Sequence, residues 1–204
     1  LPHGNCFYAS QTFNDIPPQD GRRILIAWGT IGMPGMPFNQ MMSFPVELTL
    51  RTTADGPRLF IVPVSEIGKL HGEAHTWKDT ALKEGDNLLA GVTGDLFDIR
   101  AEISVGEAQQ LGFVVRGTPI TYDVANQTLS CRGASTVLKP VNGAIRLQLL
   151  VDRTSVEIFG NDGAVYMPMG VIPPEDNESL EVFVKGGTAN VNSLEVHELR
   201  SAWG

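Results

Sequence analysis

The stretch from Ile145 to Tyr166, IRLQLLVDRTSVEIFGNDGAVY, constrains this chain more than any other. Ile145, Leu147, Leu149 and Val151 alternate with more polar residues, the period-two pattern of a half-buried strand. Asp152-Arg153-Thr154-Ser155 breaks that pattern with residues that favour tight turns. Val156, Ile158 and Phe159 resume it, and Asn161-Asp162-Gly163 makes a second turn whose glycine tolerates positive φ. A strand–turn–strand–turn–strand meander is expected. It holds Asp152 and Glu157 close together in sequence, and paired carboxylates can share acid and base roles. Asp152 belongs to the turn and Glu157 to the following strand, so their side chains need not converge. Both are read as turn and surface residues rather than as catalysts.

The same texture extends on both sides. From Leu88 onward short strands recur with turn signals between them: DLFDIRAEISV, QLGFVVRG, PITYDVANQTLSCRG, the meander, SLEVFVKGG and ANVNSLEVHEL. Hardly any helical periodicity interrupts them, so an antiparallel β-sandwich is expected over 88–204. Upstream, Cys6–Phe13, Arg22–Trp28, Met42–Thr52 and Pro57–Val64 read as four strands, the last two forming a hairpin about Ala54-Asp55-Gly56. GTIGMPGMPFNQ, between the second and third, reads as a loop. Four sequential strands match one blade of a β-propeller, which cannot bury its faces without neighbours. Ser65–Leu70 suits a helical turn, and the polar HGEAHTWKDTALKEGDN that follows reads as a linker, giving a boundary over 65–87. The expected class is all-β in two unequal parts.

Composition excludes several functions. A formal charge of -8 argues against a nucleic-acid partner, since phosphate binding needs clustered Lys and Arg. No apolar run reaches the length needed to cross a bilayer. Cys6 and Cys131 are too few and too far apart for a disulfide framework or zinc knuckle, and are expected as buried thiols. The sequence opens at Leu1, without Met and on what reads as mid-domain sequence, so a piece of something longer is expected.

Among candidate sites, His71-Gly-Glu-Ala-His75 has a spacing seen in metal sites. The order is not H-E-x-x-H, Gly72 weakens any helix and no third ligand is evident, so a solvated segment is expected and no metal. Asn126-Gln-Thr128 and Asn177-Glu-Ser179 fit the glycosylation sequon but are read as loop residues. Tyr8, Trp28 and Trp77 offer aromatic faces on which a sugar ring could stack, although from pattern alone a core role is the preferred reading of each. No nucleophile elbow, P-loop or dinucleotide fingerprint occurs.

Taken together and in order, CFYASQTF, RRILIAWG, MPFNQMMSFPVELTLRT, RLFIVPVSEI and LVDRTSVEIFGNDG closely resemble the C-terminal part of glycoside hydrolase family 32, the invertases, levanases and inulinases. The resemblance runs from about Asn5 to the end. It implies that 1–64 is the last blade of a five-bladed β-propeller, followed by a linker and the β-sandwich. Family members hydrolyse β-fructosidic bonds with retention, using an Asp nucleophile in an N-D-P-N-G-like motif, an Asp in R-D-P and a Glu acid/base in E-C. None of these occurs here. Asn14-Asp15-Ile16-Pro17 only faintly echoes the first, and sits in a loop of the wrong blade.

Gly4, Phe7, Tyr8, Ala9 and Gln11 match a family motif of the form D-x-G-x-D-F-Y-A-x-Q, whereas Pro2 and Cys6 replace its acidic positions. Tyr8 and Trp28 match aromatic positions that lie near the fructosyl pocket in the family, so the resemblance marks them as substrate-binding. It implies a chain that is catalytically silent alone, without cofactor, and completed by missing N-terminal blades that together bind sucrose- or fructan-type carbohydrate. An extracellular or periplasmic setting suits such an enzyme. The other readings are a lectin-like sandwich that binds a glycan without cleaving it, and an oligomerisation module whose unpaired blade docks on a partner, including a second copy.

Overall fold

The computed structural model describes residues 2–35, 39–174 and 176–202. Leu1, the Met36-Pro37-Phe38 part of the predicted loop and of the resembling motif, and the last two residues of the predicted sandwich lie outside the described residues. Three antiparallel sheets hold the described strands.

The first sheet contains β1 (Tyr8–Thr12), β2 (Ile24–Gly29), β4 (Val46–Thr53) and β5 (Gly56–Pro63) in that spatial order, with the short β3 (Met41–Met42) also paired to β2. The β4–β5 hairpin closes where the sequence places it: Thr53 pairs with Gly56, which takes φ 91°. A 3-10 turn, Ser65–Leu70, follows at the predicted helical turn.

The segment expected as a linker is structured. β6 (His71–Lys83) runs for 13 residues along the edge of the six-stranded sheet and pairs with β16 (Thr188–Leu199). Its polarity misled because an edge strand tolerates charge along its exposed side. Leu82 is nevertheless fully buried and Trp77 packs against the core. The connection between the first sheet and the rest therefore shrinks to the 3-10 turn.

The second and third sheets form the sandwich. One contains β8 (Gln110–Val115), β9 (Thr118–Asp123), β10 (Thr128–Cys131), β11 (Ala134–Val137) and β15 (Leu180–Lys185), in the order β11-β10-β9-β8-β15. The other runs β14-β13-β12-β7-β16-β6, with β7 (Phe97–Ser104), β12 (Ala144–Asp152), β13 (Ser155–Gly160) and β14 (Val165–Gly170). The predicted meander is β12–β13–β14, with Asp152 paired to Ser155 at the first turn and φ positive at Asn161, Asp162 and Gly163 in the second.

The main core lies between these sheets and includes Phe97, Phe113, Ile120, Tyr122, Leu149, Ile158 and Leu194. A second, smaller core joins the first sheet to the sandwich: Ile24, Val46 and Ile61 meet Leu150, Phe159 and Tyr166. Alternation explains the division. Val156 and Ile158 point into the main core while Phe159 points outward to the first sheet, so β13 is buried on both faces. Among the described residues no helix is long and apolar enough to cross a membrane.

Candidate functional site

The two aromatics singled out by the sequence stand together and face outward. Tyr8 and Trp28 are cross-strand partners, with ring centroids 5.8 Å apart at an interplanar angle of 61°. Tyr8 is 63% exposed and Trp28 39%, so the core explanation fails for both. The register between β1 and β2 slips after Tyr8, where Ala9 adopts φ 43°. Such a bulge re-aims the neighbouring side chain. On the other edge of β2, Met42 pairs with Trp28 and is also exposed. The result is an exposed cluster of two inclined rings and a thioether, suited to the C–H faces of a sugar, with the Tyr8 hydroxyl as a polar handle. Trp77 belongs elsewhere, half-buried against the sandwich core beside His75.

The meander carboxylates part company. Asp152 is exposed at its turn, where its Oδ1 accepts the Arg153 N–H at 2.7 Å. Glu157, expected at the surface, is instead 1% exposed. The sequence pattern could not show that the first sheet covers the outer face of β13. Its Oε1 accepts the Phe44 N–H at 2.8 Å, and its Oε2 accepts the Tyr166 hydroxyl at 2.6 Å. Burial pushes the Glu157 carboxyl up to about 7; the two hydrogen bonds oppose the shift and the charge of Asp152 adds to it. Burial and the adjacent Glu157 hold the Tyr166 hydroxyl far above its ordinary value. One signal in the sequence hinted at this: Tyr166-Met-Pro-Met169 carries large side chains at both parities, as a strand covered on both faces does.

The histidines of the 71–75 segment also separate. The His71 Nε2 lies 2.9 Å from Asp98 Oδ2, and its ring stacks on His197 at 4.0 Å. Asp98 is fully buried and accepts further hydrogen bonds from Arg100 and Gln148. His75 instead approaches Glu198 at 3.5 Å. Among the described residues no group of three His, Cys, Asp or Glu side chains could hold a metal. Arg100, Arg146, Glu102 and Glu195, with Leu147 and Phe159, line a groove of about 260 Å³ beside Val62 of β5, which contains neither Tyr8 nor Trp28.

Remaining candidates occupy ordinary positions. Asn126 sits in an exposed turn bonded to Asp123, and Asn177 Oδ1 accepts from Ser179. Asp15 is exposed in its loop, with φ 54°. Cys6 and Cys131 are free and buried; Cys131 lies in the main core, where burial pushes its thiol up to about 11.

Comparison with known proteins places the chain in a family. The chain is 34% identical over 231 aligned positions to a levanase of Bacillus subtilis (strain 168), covering 99% of this chain and 34% of that protein. It is 30% identical over 214 positions to a sucrose-6-phosphate hydrolase of Staphylococcus xylosus, covering 92% of this chain and 41% of that one. The chain thus spans about a third of the first relative's length and well under half of the second's. Among solved structures, an exo-inulinase from Aspergillus awamori superposes with a TM-score of 0.83 at 22% identity, over 99% of this chain and 44% of the other. Fructan 1-exohydrolase IIa from Cichorium intybus gives 0.82 at 18% identity, over 98% and 49%. At those identities the likeness establishes the shared fold. The model described as "Glycosyl hydrolases family 32 C terminal" matches residues 66–198, and the chain belongs to that family.

Proposed function

We propose that this chain is the C-terminal part of a retaining β-fructosidase acting on sucrose- or fructan-type bonds, and that Tyr8 and Trp28 form part of its sugar-binding rim. The observation that carries the reading is the paired exposure of these two rings on β1 and β2, adjacent strands of the first sheet. In the complete enzyme the first sheet serves as the last of five propeller blades. Earlier blades supply the nucleophile and acid, and the sandwich buttresses the whole. Leu50 and Leu59, cross-strand partners and both exposed, are what a blade without its neighbours leaves uncovered.

Alone, the chain is expected to be inactive. A retaining glycosidase needs two carboxyl groups roughly 5 Å apart flanking the scissile bond. Asp152 is at an exposed turn and Glu157 is sealed from solvent, so they offer no such pair. An extracellular or periplasmic setting suits action on a polymer.

The test is fructose release from sucrose, inulin and levan, by this chain alone and joined to the sequence encoded upstream. Activity only in the joined form supports the proposal; release by the chain alone overturns its silence, and an inactive joined form overturns the assignment. The exposed ring pair also suits a lectin-like reading, in which glycan binds without cleavage. Binding of fructan with no hydrolysis by the joined form selects that reading instead.

A further inference from the structure

Two of the contacts that tie the surroundings of the Tyr8–Trp28 pair to the sandwich converge on the bonded Glu157–Tyr166 couple. Phe7, adjacent to Tyr8, meets the Tyr166 ring edge-on at 5.8 Å. From the segment between β3 and β4, which lies alongside β2, the Phe44 N–H is held by Glu157 at 2.8 Å. The residues leading from Phe44 to the pair are fixed in turn. The Ser43 N–H donates to the Ala27 carbonyl at 2.9 Å, the Ala27 N–H donates to Ser43 Oγ at 3.0 Å, and Met42 stands opposite Trp28. Glu157 and Tyr166 close the circuit through their own hydrogen bond.

We propose that Glu157 is a positioning residue for the Tyr8–Trp28 pair, so that sugar affinity there follows the charge state of a carboxyl that never touches the sugar. The sugar half of this statement rests on the reading of the pair as a sugar-binding rim; the positioning half does not.

The groups facing Glu157 set the direction. Tyr166 approaches from β14, Cys6 from the segment before β1, Asp152 from the end of β12, and Ser43 and Phe44 from the segment before β4. Among the described residues no Lys, Arg or His is hydrogen-bonded or ion-paired with it. Two hydrogen bonds alone offset the lost hydration of a buried charge. Burial accordingly leaves the carboxyl at about 7. A carboxyl that binds its proton more tightly when covered favours the covered arrangement in its protonated form. Ionisation strengthens the hydrogen bond to Phe44 but leaves a buried charge whose lost hydration outweighs that gain, so the covered arrangement around Phe44 is firmer in mildly acidic than in alkaline solution. Glu157→Gln reproduces the protonated form at every pH: its amide oxygen accepts from Phe44 and its NH2 donates to the Tyr166 oxygen.

The test follows Trp28 emission in a chain carrying Trp77→Phe and Trp203→Phe, titrated between about pH 5 and 8, first without sugar and then with 1-kestose. Without sugar, one titration near neutrality is expected, absent in Glu157→Gln. Tyr166→Phe, which removes a donor that stabilises the charge, is expected to move the midpoint upward. A merely structural role would lower stability without moving any midpoint. Affinity for 1-kestose is expected to weaken several-fold from the acidic to the alkaline end, and to lose that dependence in Glu157→Gln. Flat emission in the parent chain, or the same titration in Glu157→Gln, overturns the positioning role whatever the sugar does. A normal titration with no 1-kestose binding at any pH removes the sugar reading and leaves the positioning role supported.

Discussion

The Ile61 N–H donates to the Gly163 carbonyl at 2.9 Å, joining the outer strand of the first sheet to the second turn of the meander. Gly163 takes φ 88°, and a Cβ placed on it would collide with the Ile61 carbonyl oxygen and the Val62 side chain. The turn thus doubles as a docking surface, and its glycine answers both to its own backbone and to a neighbour's. Gly163→Ala is expected to cost about 1–3 kcal/mol, from left-handed strain and the close approach together. Urea unfolding at fixed pH measures it.

Trp28→Ala, made in the protein joined to its upstream sequence, is expected to raise KM for sucrose or fructan while leaving stability nearly unchanged, because the ring is partly exposed. Loss of an aromatic contact of this kind amounts to about 0.5–1.5 kcal/mol. Steady-state kinetics beside a thermal melt separate the two effects. An unchanged KM would remove Trp28 from the rim.

Stability should depend on pH through Glu157. Its carboxyl titrates at about 7 in the folded chain, above its ordinary 4.5. Below the ordinary value both folded and unfolded chains hold the proton, and the full benefit is present. As pH rises towards 7 the unfolded chain gives up its proton while the folded chain keeps it, so stability falls; above 7 it levels off. The loss is on the order of 3 kcal/mol. The difference between the parent chain and Glu157→Gln, followed by chemical denaturation across this window, isolates it from other titrating groups.

Tyr122 donates its hydroxyl to the Leu138 carbonyl at 2.9 Å, inside the main core. Tyr122→Phe leaves that carbonyl without its donor and is expected to destabilise by about 1–3 kcal/mol. Its effect on the Trp28 emission should be nil, since Tyr122 lies in the other core.

The two cysteines report on different places: Cys131 on the main core, Cys6 on the seam beside the smaller one. Cys6 is buried near Gly29 and Gly170, where the first sheet meets β14, whereas Cys131 lies between the sandwich sheets. A small core opens at lower free energy than a large one. In denaturant below the main transition, a thiol reagent should modify Cys6 before Cys131. Simultaneous reaction would mean that the cores unfold as one.

Much of the architecture was legible because strands with one face in a core announce themselves by alternation. The meander, the β4–β5 hairpin and the strands of Phe97–Ser104 and Leu180–Lys185 fall where the pattern puts them. β6 was missed because an edge strand carries polar residues without penalty, and Ala134–Val137 because four small, half-polar residues give no periodic signal. Type and resemblance single out Tyr8 and Trp28, but their contact sits beside a bulge at Ala9 that no local rule predicts. Glu157 was misplaced for a related reason: period two separates the two faces of a strand without saying what lies against either.

That separation has a consequence for how this protein can vary. Along β13, Val156 and Ile158 belong to one packing problem and Glu157 and Phe159 to another. Adjacent positions are thus answerable to different neighbours. Paired substitutions at Ile158 and Phe159 should combine almost independently despite being next to each other in sequence. Phe159 and Ile61, about a hundred positions apart but in the same small core, should not. Along this strand, distance in sequence is a poor guide to which changes must be made together.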